Sequence, residues 1–166
     1  MWNSTRTWAF VWIFFLLLLQ NALHFVFPRE IFPFLLVGVI FYGLSEGPRF
    51  GFVSGCTAGF LLDLLGVGRI GPQLLLYGWV GMVSGWSAST LFPDSLWTQL
   101  FLPVISNVFV LVLSRLIYQD FSWQEGGVVV VLGSAAEWRS LLLTLVVSPL
   151  LFRFLKFVSF ASVRWR

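Results

Sequence analysis

Apolar residues run along this chain in six stretches separated by short clusters of glycine, proline and charge. The first covers residues 7–27, where WAFVWIFFLLLLQNALHFVF follows one threonine and Arg6 stands just outside. Crossing a bilayer takes about 20 apolar residues. The stretch meets that length and has no small-residue cleavage site of the A-x-A kind, so the pattern predicts a retained helix. Pro28, Arg29 and Glu30 make a tight turn. Residues 31–45 and 50–65 are two shorter runs divided by Glu46, Gly47, Pro48 and Arg49. They predict antiparallel helices joined by a short polar turn, and their shortness also fits a re-entrant hairpin.

Gly66, Gly68, Arg69 and Gly71 break the pattern again, and a fourth run follows over residues 72–92. The fifth covers 96–118 with Pro103 inside it, tolerated because neighbouring helices can satisfy the carbonyl that proline frees. After the longest polar loop, residues 119–127, the last run is drawn over 138–157, with Arg153 and Lys156 snorkelling to one surface. Five spans remain if that segment lies in the interface instead.

Composition turns these runs into a class. Of 166 residues, 58% are hydrophobic and 10% charged, with 19 Phe, 9 Trp and a mean hydropathy of +0.91. Soluble domains carry about 25% charge, and one of this size has too much surface to hide so many apolar side chains. The expectation is an all-α integral membrane protein, a bundle of six transmembrane helices in which residues 1–166 form a single transmembrane domain. Six spans leave no room for a soluble domain. Cys56 is the one cysteine, which excludes an internal disulfide and a multi-cysteine metal site.

Charge gives the bundle a direction. With six spans, Arg6, Arg49, Arg153, Lys156, Arg164 and Arg166 share one side with Glu46 and Asp94, for a net +4. Arg29, Arg69, Arg115 and Arg139 share the other with Glu30, Asp63, Asp120, Glu125 and Glu137, for a net −1. Basic residues stay in the cytoplasm, so both termini are expected there, in a multi-pass protein of the inner membrane. The scattered basic residues argue against nucleic acid and for contact with membrane lipids.

The strongest local pattern is Gly47, Gly51, Gly55 and Gly59, four glycines at four-residue spacing, which share one helix face that Asp63 continues. Small residues let helices approach closely in lipid, where packing rather than hydrophobicity holds them together. The stripe predicts either internal packing or a partner contact, with Gly81 and Gly85 as mates and Gly78 nearby. Leucine there should disrupt packing, and alanine should be far milder. Asp63 is costly inside a span. It is expected to pair with Arg69 or cap backbone amides, to meet a ligand or partner, or to handle protons. Gln20, Asn21, His24, Gln73 and Asn107 can each satisfy themselves by interhelical hydrogen bonds.

Catalytic patterns are missing. Lys156 is the sole lysine, which excludes a P-loop, and His24 is the sole histidine, which excludes a zincin pair. The strings GFVSG at 51–55 and GMVSG at 81–85 lack the central serine of a nucleophile elbow. Nothing in the spacing brings Ser54 or Ser84 to His24. The residues read as a non-enzyme without a metal or cofactor.

Residues 33–86 resemble a known family. Pro33, Gly47, Pro48, Gly51, Gly55, Gly59, Phe60, Leu62, Asp63, Gly71, Tyr77, Gly81 and Gly85 match the core of the rod shape-determining protein MreD family: a glycine-proline turn, glycines at four-residue spacing ending in an aspartate, a glycine-rich turn, and a helix with a tyrosine and paired glycines. The match is close over about a third of the chain and extends by hydropathy over the rest. Phe60, Leu61 and Leu62 depart from it where family members often carry glycine. The resemblance implies a membrane component of the bacterial cell-elongation machinery, which controls rod shape and lateral peptidoglycan synthesis. It would bind MreC, a single-span scaffold, and sit with the elongation-complex glycosyltransferase and penicillin-binding protein. The family also resembles the substrate-binding subunits of energy-coupling factor vitamin transporters in its six-helix fold, and uptake of a vitamin is the alternative. Such subunits usually carry an Ala-x-x-x-Ala pair on the first helix, whereas Ala9 is followed by Ile13.

Overall fold

The computed structural model describes residues 4–26, 33–65, 71–88, 95–118 and 135–160, and these are almost entirely helical, with no strand among them. Six helices follow one another: α1 (Ser4–Val26), α2 (Phe34–Glu46), α3 (Pro48–Leu65), α4 (Pro72–Ser87), α5 (Leu96–Tyr118) and α6 (Ala135–Phe160). Helices α1, α5 and α6 contain windows long and apolar enough to cross a membrane, namely Ala9–Val26, Trp97–Ser114 and Trp138–Phe157. Helices α2, α3 and α4 are shorter, at 13, 18 and 16 residues. α6 runs past both ends of the 138–157 stretch. Residues 89–92, the 119–127 loop and Arg69 lie outside the described residues.

The arrangement follows from α2, whose sequence FLLVGVIFYGLSE has no polar face until its last two residues. A helix that is apolar all round has to be surrounded. Every residue from Leu35 to Leu44 is buried, and α2 touches each of the other five helices. Around it α1 meets α3, α3 meets α4, α4 meets α5 and α5 meets α6. The rings of Trp12 and Phe154, edge to face with centroids 5.9 Å apart, join α6 back to α1. Aromatic pairs tie the axis to this ring of helices: Phe41 packs on Phe152 at 5.5 Å, and Tyr42 on Phe50 at 6.4 Å, which in turn meets Phe10 at 5.8 Å.

Polar side chains within this apolar frame bond to neighbouring helices. The Gln20 side chain of α1 accepts from the backbone N–H of Leu35 at 3.1 Å, so a side chain from one helix satisfies an amide in the first turn of the next. Between α5 and α6, Asn107 donates to Ser140 at 3.2 Å and to Thr144 at 2.7 Å. Ser140, Thr144 and Ser148, four residues apart, are all fully buried. Asn21 instead donates to Leu17 of its own helix at 2.9 Å, and His24 is exposed near the end of α1.

One residue, Gly47, separates α2 from α3. Its φ of 91° lies where L side chains are strained. The reversal is held by its N–H donating to Gly43 at 3.0 Å and its carbonyl accepting from Gly51 at 2.9 Å. Pro48 then opens α3, where its missing N–H costs nothing. A side chain at position 47 would meet nothing within 4 Å, so the objection to one is purely conformational. Gly47→Ala is therefore expected to destabilise the protein by about 1–3 kcal/mol, read as a lower midpoint of thermal unfolding in detergent. An unchanged midpoint would mean that the turn tolerates an ordinary residue.

Candidate functional site

The site is built on the contact between α3 and α4, where backbone meets backbone. A Cβ added at Gly51 would run into the carbonyl of Gly81, and one added at Gly81 into the carbonyl of Gly51. Four residues further along α3, a Cβ at Gly55 would strike the Tyr77 carbonyl and lie 2.9 Å from the Gly78 Cα. Four further still, one at Gly59 would strike the Gln73 carbonyl and lie 2.6 Å from the Leu74 Cα. At the opposite end, one at Gly85 would strike Pro48 and lie 2.6 Å from the Gly47 carbonyl carbon. Each step of four residues up α3 is matched by a step of four down α4, as antiparallel helices of equal rise require.

Gly47, Gly51, Gly55, Gly59, Gly81 and Gly85 all belong to this contact, in two different ways. The last five face an opposing backbone directly. Gly47 precedes α3 and offers its own backbone to Gly85, while its missing side chain would point into open space. Gly43 of α2, one four-residue step before Gly47 and on the other side of the turn, also joins. Its added Cβ would meet Ser84 and lie 2.7 Å from the Gly81 carbonyl, so three helices converge near Gly43, Gly51 and Gly81.

Two buried serines complete the centre. Ser54 donates to the Gly51 carbonyl at 3.0 Å, and Ser84 to the Gly81 carbonyl at 2.8 Å. These are the carbonyls that face the opposing glycines, so GFVSG and GMVSG form a local two-fold arrangement about the Gly51–Gly81 contact. Both hydroxyls are spent within their own helices, and His24 sits exposed near the end of α1. The arrangement packs helices and presents no activated nucleophile.

Asp63 closes the hairpin at its other end. It is 5% exposed. Its Oδ2 accepts from the backbone N–H groups of Gly71 at 2.8 Å and Leu74 at 3.2 Å, and its Oδ1 from Gln73 at 3.3 Å. The first amides of a helix have no partner within it and carry its positive end, so a carboxylate from α3 satisfies both demands of α4. Gly71 makes the approach with a φ of 125°. Gln73 extends the link to α5 by donating to Ser114 at 3.4 Å. Among the described residues no cluster of three or more His, Cys, Asp or Glu is placed to hold a metal ion.

Sequence spacing alone pointed to the glycine stripe and Asp63 but missed Gly43 and the hydroxyl stripe of α6. Gly43 carries a readable signal, since it extends the four-residue glycine spacing by one step, although the turn at Gly47 puts it on a different helix. Ser140, Thr144 and Ser148 also carry a readable signal, since three hydroxyls at four-residue spacing in an apolar helix must share a face.

Alanine is corrected from mild to disruptive. The atoms opposite Gly51, Gly55 and Gly59 are carbonyls of the facing helix rather than flexible side chains, so even a methyl group must push the helices apart. Gly51→Ala and Gly55→Ala are expected to cost about 1–3 kcal/mol each, the usual penalty of overpacking, measured as lost thermal stability in detergent. Wild-type stability for both would place the stripe away from α4.

For Asp63 the expected order is Asp63→Leu worse than Asp63→Asn. Asparagine retains one oxygen and turns an amide donor toward a backbone N–H, losing about 1–2 kcal/mol, whereas leucine leaves three amides unpaired and loses about 3 kcal/mol or more. Equal thermal stability for the two variants would show that charge, and not amide capping, is what the position supplies.

Comparison with curated proteins and with solved structures finds no match. A family model does match, that of the rod shape-determining protein MreD, over residues 3–160. That range takes in the whole of α1 to α6, including the glycine ladder and Asp63, and the chain belongs to the rod shape-determining protein MreD family, a membrane family of shape-determining structural proteins.

Proposed function

We propose that this chain is a non-enzymatic scaffold of the bacterial cell-elongation complex, crossing the inner membrane six times with both termini in the cytoplasm. It controls rod shape and lateral peptidoglycan synthesis by binding MreC, and through that contact it sits with the elongation glycosyltransferase and penicillin-binding protein. The observation that carries the reading is the family match over residues 3–160. Its support in the fold is a hairpin whose close backbone contacts and serine hydroxyls bonded within their own helices suit a rigid platform better than a catalyst. The charge split of +4 against −1 supports the orientation. Substrate-binding subunits of vitamin transporters are the class to be separated from it.

Depleting the protein in a rod-shaped host should round the cells while vitamin uptake continues, and purified protein should capture the MreC span in detergent without binding riboflavin, biotin or thiamine at micromolar levels. Tight vitamin binding with normal cell shape on depletion would replace the scaffold reading with the transporter one. Orientation has its own test in a background where Cys56 is replaced. Ser122→Cys should react with an impermeant thiol reagent from outside the cell membrane, and Asn3→Cys and Arg164→Cys should not. Labelling of Arg164→Cys from outside would reduce the spans to five.

A further inference from the structure

The inner face of α5 is polar. Its exposed side chains include Trp97, Phe101, Ile105 and Phe109, while Thr98, Gln99, Ser106 and Asn107 are buried together with Pro103 and Val110. Polar side chains within a span are costly, and they mark the bundle interior or a hydrated space inside it. α6 meets this face with the hydroxyls of Ser140, Thr144 and Ser148, each fully buried. Asn107 spends both amide hydrogens on the first two. Ser148 is left over, and its Oγ has no hydrogen-bond partner among the described residues.

This hydroxyl differs from the others in direction and in depth. Ser45, Ser54, Thr57, Ser84, Ser87 and Thr144 each donate to a carbonyl three or four residues earlier in their own helix. Ser148 does not, although Pro149 brings no N–H to the Leu145 carbonyl three residues before it. Its hydroxyl is therefore turned away from its own backbone, on the face it shares with Ser140 and Thr144. Ser148 is also the fourteenth of the 26 residues of α6 and the eleventh of the 20 in the apolar window 138–157, so neither end of the span brings bulk water to it. The other buried side-chain atom without a partner, Oε1 of Gln73, lies in the first turn of α4, close to a helix end. An unpaired hydroxyl in the middle of a span carries the full cost of its lost hydration.

Size and charge select what satisfies it. Asn107 holds α5 to α6 at 2.7 Å from Thr144, and Ser148 is one turn further on, about 6 Å along the helix. Helices pinned that closely leave room for a molecule the size of water and little more. Thr98, Gln99, Ser106, Asn107, Ser140, Thr144 and Ser148 are all neutral, so an ion between these helices would be buried without a counter-charge. Buried waters commonly make about three hydrogen bonds, and three oxygens stand within about a turn of one another: Ser148 Oγ, the Leu145 carbonyl and the Asn107 Oδ1. We propose that one water molecule is bound between α5 and α6 at Ser148, joining its hydroxyl to the Leu145 carbonyl and to the side-chain oxygen of Asn107. It extends the Asn107 seam by one turn and supplies the Leu145 carbonyl with the donor that Pro149 withholds. The site belongs to the bundle itself, whichever partner the chain binds.

The test is a structure of the full chain in lipid nanodiscs at a resolution that shows ordered water, with thermal midpoints of the wild type and Ser148→Ala measured alongside. A density peak is expected at about 2.7–3.2 Å from Ser148 Oγ. Ser148→Ala should lower the midpoint by about 2–4 °C, the effect of losing one hydrogen bond in a chain of this size. No peak, with the hydroxyl either turned onto the Leu145 carbonyl or facing apolar atoms, would overturn the site. So would a peak at the shorter distances of a coordinated cation, about 2.3–2.6 Å. A midpoint that Ser148→Ala leaves unchanged or raises would overturn it as well, because removing an unsatisfied buried hydroxyl relieves a cost whereas removing a water's partner adds one.

Discussion

The close approach of α3 and α4 is the constraint on which the rest of the bundle depends. In lipid, water does not drive helices together, and cohesion comes from van der Waals contact, hydrogen bonds and the small residues that allow both. At Gly51 and Gly81 the two backbones touch with no side chain between them, and the contact repeats at Gly55 and Gly59. Because carbonyls form the opposing surface, register is set with little tolerance. A shift of one residue along α3 would put Phe52, Cys56 and Phe60, or Phe50, Ser54 and Ala58, where the glycines now meet the α4 backbone.

That rigidity is passed on through α2 and Asp63. Gly43 admits the fully buried α2 to the same contact, and Gly47 turns the chain directly from α2 into α3, so three helices share one junction. At the other end, Asp63 fastens α4 through its first free amides. Gln20 does the same for α2 from α1. Both devices meet the requirement that backbone polar groups in an apolar medium find partners within the protein. The α5–α6 pair is held by different means, a seam of Asn107, Ser140 and Thr144 in which side-chain hydrogen bonds replace backbone contact.

The local two-fold about Gly51 and Gly81 explains why two short strings resemble each other without any longer repeat. Each glycine carbonyl faces the other helix and receives a serine hydroxyl from its own, so the same four-part arrangement is needed on both sides. Residues that resemble a hydrolase motif in one dimension are here the two halves of a packing contact.

Hydropathy along one dimension was enough to determine that the chain is a set of apolar helices and that glycines at four-residue spacing share a face, because helical period and bilayer thickness are local constraints. The aspartate at the end of that stripe was legible as a residue needing a partner. What it bonds to was not, since the backbone amides it accepts from lie eight to eleven residues further on and only three-dimensional placement brings them to it. Nor could the pattern show that α2 is the axis, because a short apolar run reads alike whether lipid or protein surrounds it. Tertiary structure decided the register of α3 on α4, the inclusion of Gly43 and the intolerance of alanine, for a single reason: each depends on which atoms lie opposite, and opposition across an interface is not encoded in the spacing of either helix.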